Sequence, residues 1–420
     1  MTTYDKFKGE MMAGGSVVEQ PDDEMAGGWR GALGVAGIIG LLVWLATVNI
    51  WWFAFVVGVL IAVFMHELGH FVTARMTGMK ATQFFIGFGP RLWSFRRGET
   101  EYGVRALPLG AFVRIIGMNS MDDVDPVDEH RTYRVKSYPK RMLVITAGSL
   151  MHVFMAIALL FTVYVIDGEI VQRDGAEITF VEPSGPAFSD GVREGDVVLA
   201  VNGSTVNGPA QLGELVRSNA PGESITLDVL RDGRPMVLTV GLGANTDEAS
   251  PLFGQPYLGV GSNGVFETVE HGVGAAAVNS VTDIFPVAWE STKGVINVLN
   301  PINIVGHLTG TNDDIATRPT TLVGVTGISD DIGEAQGFIG ILYLLAVLNV
   351  FVGVFNMFPL LPLDGGHAAI ATYERFRERK GERYYADVAR LMPFAMGVIM
   401  VLLFLFMSGL YLDITDPLGG

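Results

Sequence analysis

Two histidines and a glutamate occur together in the sequence His66-Glu67-Leu68-Gly69-His70. A helix has 3.6 residues per turn, so side chains four positions apart lie on one face and both imidazoles can bind one metal ion. The glutamate beside the first histidine could reach a water molecule at that ion and take its proton. The pattern predicts a zinc hydrolase site whose third ligand lies elsewhere in the chain.

The stretch before this motif is apolar. Residues 51–65 (WWFAFVVGVLIAVFM) run into His66 without a charge, and ionisable side chains inside an apolar span cost several kcal/mol and usually have a function. The chain has 420 residues, of which 49% are hydrophobic and 17% charged, which indicates an integral membrane protein. The absence of cysteine excludes disulfides and thiolate ligands, and a net charge of −16 argues against nucleic-acid binding.

A second motif, NMFPLLPLDGGH at residues 356–367, ends another apolar run. Its prolines and glycines must break a helix there, and irregular backbone at membrane depth is tolerated only where it is buried in protein or lines a wet cavity. We expect Asp364 to be the third metal ligand, with the fourth position left for water. Asn356 could hold a substrate carbonyl or the oxyanion. His367 competes with Asp364 as a ligand, although its place after two glycines favours a supporting role beside the site or a place in a loop.

Further apolar runs at 142–166, 338–361 and 391–412 are long enough to cross a bilayer. Residues 31–65 are too many for one upright helix, because ~1.5 Å per residue gives ~52 Å against a hydrocarbon core of ~30 Å. Either an extra helix at about 31–48 turns sharply near Asn49, or one long tilted helix projects from the bilayer. The extra helix is favoured.

Charges in the loops predict the orientation. Residues 75–141 carry twelve Lys/Arg and seven Asp/Glu, whereas residues 167–285 carry five and seventeen. An excess of Lys and Arg marks the cytoplasmic side, so the first stretch and the basic loop after Asp364 should face the cytoplasm. The second stretch should lie outside, and the predicted ligands should then lie near the cytoplasmic end of their helices.

Two regions outside the apolar runs have strand patterns. Residues 87–118 alternate apolar and polar side chains, with turn signals at Arg97-Gly98 and Pro108-Leu109-Gly110, which predicts β-hairpins. An exposed strand edge there could bind an extended peptide, or the hairpins could form a structural cap. Residues 169–242 contain short apolar runs between Gly, Asn and Asp turns and one amphipathic helix, which predicts a small β-rich domain.

Together these features resemble the site-2 protease family of intramembrane zinc metalloproteases, over roughly residues 52–412. The likeness rests on the two metal motifs, the GFGP stretch at 87–90 and the segment GPAFSDGVREGDVVLAVNG at 185–203. That last segment is similar to a bacterial PDZ domain, which binds peptide ends or strands. The single PDZ domain and the stretch WSFRRGETEYGVRALPLGAF most resemble the actinobacterial members.

The resemblance implies that His66, His70 and Asp364 bind one Zn2+, that Glu67 is the general base and that Asn356 contacts substrate. One position departs from the family pattern. The family usually has Gly-Pro-x-x-Asn in its second core span, whereas this chain has GSLMH at residues 148–152. His152 is more readily a buried hydrogen-bonding substitute for the asparagine than a metal ligand.

The predicted fold is an α-helical polytopic membrane protein with about four core transmembrane helices and one extra N-terminal helix as an option, a cytoplasmic β-hairpin insertion and an extracytoplasmic PDZ domain. The predicted segments are a disordered acidic tail (1–30), the helix or helices with the first motif (31–76), the hairpin region (77–141), a transmembrane helix (142–166), the PDZ domain (167–245), a linker with an amphipathic helix (246–337), the helix with the second motif (338–368), a cytoplasmic loop (369–390), a last transmembrane helix (391–412) and a tail (413–420).

The family resemblance implies proteolysis within the plasma membrane. The expected substrates are transmembrane segments of single-span proteins, such as anti-sigma factors or signal peptides, after a first cut by another protease. The PDZ domain would act as a size filter or an inhibitory clamp, and membrane lipid is the other expected partner. The alternative is a catalytically inactive, PDZ-bearing membrane protein that binds or escorts helical partners. Cleavage of a soluble or lipid-linked substrate is disfavoured by the depth of the site.

Overall fold

The apolar runs form long helices in the computed structural model, which describes residues 29–118, 124–246, 252–312, 314–378, 384–386 and 391–417. Five helices in these ranges are long and apolar enough to cross a membrane, judged by length and composition. The helices are α1 (Trp29–Val48), α2 (Ile50–Met76), α3 (Tyr138–Ile166), α4 (Pro186–Ser189), α5 (Pro209–Arg217), α6 (Val273–Thr282), α7 (Ile284–Val298), α8 (Pro301–Thr309), α9 (Leu322–Asn356), α10 (Asp364–Arg377) and α11 (Met392–Thr415). The five candidate spans are α1, α2, α3, α9 and α11.

The long N-terminal apolar region is two helices in the structure. Asn49 separates α1 from α2 with an extended backbone (φ −152°), and its side-chain oxygen accepts hydrogen bonds from the backbone N–H groups of Trp51 and Trp52 at 2.8 and 3.0 Å. This is an N-cap, which satisfies donors that would otherwise lack a partner at the start of a helix. The chain therefore has the break near Asn49 that the extra-helix alternative requires.

The strands are β1 (Ala81–Arg97), β2 (Thr100–Ile115), β3 (Glu169–Val181), β4 (Val197–Val201), β5 (Ser204–Thr205), β6 (Ser224–Arg231), β7 (Arg234–Gly241), β8 (Gly243–Ala244), β9 (Pro256–Tyr257) and β10 (Val260–Val269). The chain forms two compact units, one from the segments before Val163 and after Val273 and the other from Tyr164–Gly272.

The predicted hairpin region is one long β1–β2 hairpin. Its turn follows Arg97, where Gly98 has φ +65°, as the sequence predicts. The second predicted turn, Pro108-Leu109-Gly110, is wrong because these residues lie within β2. Gly110 is needed for close packing: a Cβ there would lie 2.5 Å from the ring of Phe88. Register shifts fold the hairpin so that Phe84 pairs with both Val113 and Tyr102.

The second unit is β-rich, as predicted. Its sheet has the order β10-β3-β4-β6-β7, with β5 beside β4, and neighbouring strands are antiparallel. Its core includes Ile178, Val198, Ile225 and Leu227, each almost fully buried. The sheet continues past the predicted boundary at residue 245, because β10 pairs with β3. The glycines in VGSNGVFETV hide the alternation that would mark this strand in the sequence.

The region predicted as a linker at 246–337 contains β9, β10, the three helices α6 to α8 and the first part of α9, where the sequence predicts one amphipathic helix. Within α9 the backbone at Gly337 is non-helical (φ 65°, ψ −152°), so α9 consists of two helical segments and the second begins where the sequence predicts a helix from 338. The predicted acidic tail lies outside the described residues apart from its last two, as do residues 379–383 and 387–390 of the basic loop and 418–420 of the C-terminal tail.

A buried cluster joins the helices that carry the predicted ligands. It contains Ala74 from α2, Val144 and Ile145 from α3, and Ala368 and Ala371 from α10. The small side chains on α2 and α10 allow close helix packing, which is typical of helix contacts in membranes. This cluster lies one turn or so from each motif, so it fixes where the two motifs meet.

Candidate metal centre

The two motifs meet at three side chains. His66 Nε2 lies 3.1 Å from His70 Nε2, and Asp364 Oδ2 lies 3.4 and 3.3 Å from these two nitrogens. A tetrahedral zinc site with bonds of about 2.0–2.1 Å has ligand-to-ligand edges of about 3.4 Å. Among the described residues, this is the one group of three His, Cys, Asp or Glu side chains found close enough to hold a metal ion. Its dimensions fit zinc.

The chemistry of the donor atoms also fits a cation. All three side chains are largely shielded from solvent, and His66 and His70 are only 9% and 6% exposed. Asp364 Oδ2 is buried without a hydrogen-bond partner in the described part of the chain. Lone pairs that converge in a buried space repel one another, and a buried polar atom without a partner costs free energy. A bound metal ion would remove both costs.

A backbone contact sets the orientation of His70. Its Nδ1 lies 2.7 Å from the carbonyl oxygen of Val144 on α3. A carbonyl only accepts, so Nδ1 carries the proton and Nε2 presents its lone pair to the cluster. Metal-binding histidines commonly have such a partner on the second nitrogen. The sequence motif alone does not identify this partner.

Glycine allows α3 to approach the histidines. A Cβ on Gly148 would lie 2.4 Å from His66 Cε1 and 2.5 Å from His70 Nε2, and one on Gly69 would lie 2.7 Å from the carbonyl oxygen of Ala147. No side chain fits at these distances. The two glycines therefore let α2 and α3 touch at the site itself.

Glycines also place Asp364, the first residue of α10. A Cβ on Gly365 would lie 2.2 Å from the carbonyl oxygens of Met357 and Phe358, and one on Gly366 would lie 2.7 Å from the backbone nitrogen of Leu361. The loop after α9 thus folds tightly over the start of α10. In the Asp-Gly-Gly sequence, the aspartate lies at the start of the helix, and the two glycines leave room for the backbone of the preceding loop.

Glu67 lies beside this group and contacts the hairpin. Its Oε2 accepts a hydrogen bond of 3.1 Å from the backbone N–H of Val113 in β2. The carboxylate of Glu67 is therefore held next to the histidines by a strand whose edge borders the site. Sequence spacing predicts the glutamate, but the contact with Val113 requires the tertiary fold.

The other predicted site residues lie nearby but outside the group of three. Asn356 is the last residue of α9 and half-buried, and its side chain makes no hydrogen bond to a described residue. His367 is half-buried in the first turn of α10, in a helix and not in a loop. His152 is 2% exposed, and its ring centroid lies 5.1 Å from that of His66. Its partner, Asn349, was not predicted. The available signal was an amide side chain within the apolar run of α9.

Comparisons with known proteins cover most of the chain. The sequence model of the family described as Peptidase family M50 matches residues 54–401. Zinc metalloprotease Rip1 of Mycobacterium tuberculosis (strain H37Rv) is 30% identical over 403 residues, which is 87% of this chain and 97% of that protein. Zinc metalloprotease RasP of Geobacillus kaustophilus is 25% identical over 417 residues, covering 81% and 93%.

Among solved structures, the PDZ domain of an SdrC-like protein from Listeria monocytogenes is 20% identical to part of the chain. The match covers 22% of this chain and 90% of that one, with a TM-score of 0.20.

Proposed function

The chain belongs to peptidase family M50, and from that membership we propose that it cuts the transmembrane segments of single-span proteins within the bilayer. The predicted resemblance to the site-2 proteases is confirmed, and the chain is a zinc metalloprotease with helices suited to a membrane. The observation that carries the proposal is the triangle of His66, His70 and Asp364 with Glu67 beside it. The substrate class, the orientation and the roles of individual residues are part of the proposal.

We assign the zinc ligands as His66, His70 and Asp364. Zinc supplies Lewis acidity when bound, which makes water more acidic and a carbonyl carbon more electrophilic. Glu67 acts as general base: it takes a proton from the attacking water and delivers it to the leaving amine. The hydrogen bond from Val113 holds the Glu67 carboxylate at the position this transfer requires. Asn356 stabilises the negative charge that develops on the carbonyl oxygen.

The substrate must be unwound before it is cut, because helical carbonyls are engaged in hydrogen bonds four residues apart. The edge of β2 is suited to hold an extended segment by backbone hydrogen bonds. Val113 supports this assignment, since its N–H is directed at Glu67 and marks where the strand borders the catalytic group. A substrate strand along this edge would place its scissile bond next to the metal ligands.

Loop charges support a topology in which residues 75–141 face the cytoplasm and the β-rich unit lies outside. The site then lies towards the cytoplasmic face of the plasma membrane. We assign the PDZ-like unit as a filter that admits a substrate after another protease has removed its outer domain. Anti-sigma factors and signal peptides are single-span or single-segment proteins of the kind this arrangement would accept.

The test is made in reconstituted membranes with a panel of single-span substrates. Wild type should hold about one zinc and cut. Glu67→Gln should keep the metal and fail to cut, because an amide cannot take a proton from water. Asp364→Asn should lose zinc affinity, because a neutral amide is a poor substitute for a carboxylate ligand. Cleavage that survives Glu67→Gln would refute the assigned base. If the wild-type protein binds peptide but does not bind zinc and does not cut, the escort alternative is favoured.

A further inference from the structure

A buried polar pair joins α3 and α9 next to the metal centre. His152 Nδ1 lies 2.8 Å from Asn349 Oδ1, and both side chains are only 2% exposed. The two helices are close here, since a Cβ on Gly353 of α9 would lie 3.2 Å from His152 Cβ. An ionisable side chain within an apolar span is rare and usually marks a functional site, even when it has a hydrogen-bond partner. The pair therefore calls for a functional explanation.

The hydrogen bonds of Asn349 determine which nitrogen of His152 carries the proton. Asn349 Nδ2 donates to the carbonyl oxygen of Leu345 at 2.7 Å. Its amide oxygen therefore faces the imidazole and can only accept, so Nδ1 of His152 must be the donor. The neutral ring then has an unprotonated Nε2, whose lone pair points away from Asn349. Nε2 has no hydrogen-bond partner among the described residues.

His152 lies next to the group of His66, His70 and Asp364 but is not part of it. The rings of His152 and His66 lie 5.1 Å apart with an interplanar angle of 45°. Gly148, one helical turn before His152 on α3, lies so near His66 and His70 that an added Cβ would overlap both rings. The face of α3 that borders the metal centre thus continues to His152, but His152 is not one of the three clustered ligands.

An unwound substrate needs acceptors as well as donors. Each residue taken out of a helix leaves a backbone N–H that costs free energy in a dry site unless something accepts it. A strand edge pairs with only one side of an extended substrate, and the N–H of Val113 in β2 is already donated to Glu67. A fixed imidazole nitrogen on the facing helix supplies an acceptor.

We propose that His152 Nε2 accepts a hydrogen bond from one backbone N–H of the extended substrate beside the scissile bond, and that Asn349 is a positioning residue that holds His152 in the required tautomer. This inference rests on the proposed function. It gives a role to the position where the chain departs from the Gly-Pro-x-x-Asn pattern: histidine replaces the asparagine, and an asparagine on the facing helix orients it. The ligand class is an extended polypeptide backbone, recognised at one N–H.

The test measures binding and does not require cleavage. In a Glu67→Gln background loaded with zinc, a synthetic transmembrane peptide is compared with a series in which one amide at a time is replaced by an ester, which removes a single N–H. We expect one ester position to weaken binding by roughly three- to tenfold, the range for one neutral hydrogen bond. In His152→Phe, which keeps a ring but lacks the acceptor, the amide and ester peptides at that position should bind equally.

Two further variants separate recognition from structure. His152→Asn should restore sensitivity at the same position, because its amide oxygen can accept, while Asn349→Leu should reduce it with zinc content unchanged. The inference is overturned if no ester position depends on residue 152, or if His152→Phe loses zinc, which would make His152 a ligand. Failure of the Glu67→Gln protein to bind any transmembrane peptide would instead overturn the proposed function, and this inference with it.

Discussion

Gly148→Ala should disable the metal centre without changing a ligand. The added methyl carbon would lie 2.4 Å from His66 Cε1, 2.5 Å from His70 Nε2 and 2.6 Å from His66 Nδ1. Carbon contacts are favourable at about 3.5–4.0 Å, so the imidazoles must retreat by about 1 Å. Zinc bonds tolerate deviations of about 0.2 Å. A displacement several times larger removes at least one histidine from the coordination geometry.

We therefore expect zinc affinity in Gly148→Ala to fall by at least about 100-fold, or about 2.7 kcal/mol. The assay is competition for zinc with a chromophoric chelator on purified protein in detergent, followed by cleavage at saturating zinc. Gly397→Ala is the matched control, because Gly397 lies in α11 and a Cβ there meets nothing within 4 Å. Zinc affinity within threefold of wild type in Gly148→Ala would refute the packing argument.

Two other perturbations test how the site is supported. Arg141 and Glu374 form a buried ion pair of 2.5 Å with side chains 6% and 8% exposed. Glu374→Leu should cost about 3–5 kcal/mol of unfolding free energy in mixed micelles, because it leaves a buried charge unpaired. The double variant Arg141→Met with Glu374→Leu should recover most of this loss. A double variant whose loss equals the sum of the two single losses would contradict the argument. Two hydrogen bonds from Arg131, at 2.6 and 2.7 Å, hold the pKa of Glu99 below its usual range. That stabilisation is present above the unfolded-state pKa and is lost as pH falls through the folded-state value. The protection of hairpin amides, corrected for the intrinsic exchange rate at each pH, should therefore fall in acid, and Arg131→Met should reduce this pH dependence.

Local spacing was enough to identify the chemistry of the site. His66 and His70 share a helix face because a helix repeats every 3.6 residues, and Glu67 follows from the same register. The proline and glycine signals before Asp364 mark a break in the backbone, which the structure places after Asn356. These are properties of short segments, so no tertiary information is needed to see them.

Hydrophobic length was a similarly reliable guide to the helices and a weaker guide to their ends. The helix around 142–166 begins four residues earlier, at Tyr138, and residues 322–337, with their acidic side chains, precede the span predicted at 338. In the hairpin, Gly110 predicts a turn, whereas the structure uses it for contact with Phe88. A glycine permits either a turn or close packing, and the sequence does not distinguish the two.

The sequence by itself predicted the candidate ligand types and the glutamate and determined the membrane character, because each depends on residues that are neighbours along the chain. Only the tertiary structure decided that Asp364 meets His66 and His70 at 3.3–3.4 Å. It also decided that Gly148 makes room for them, and that Asn349 contacts His152 across two helices. These contacts join helices that are far apart in the sequence. They depend on how side chains of particular sizes pack between helices, and a local sequence pattern does not specify which surface of another helix will pack against it.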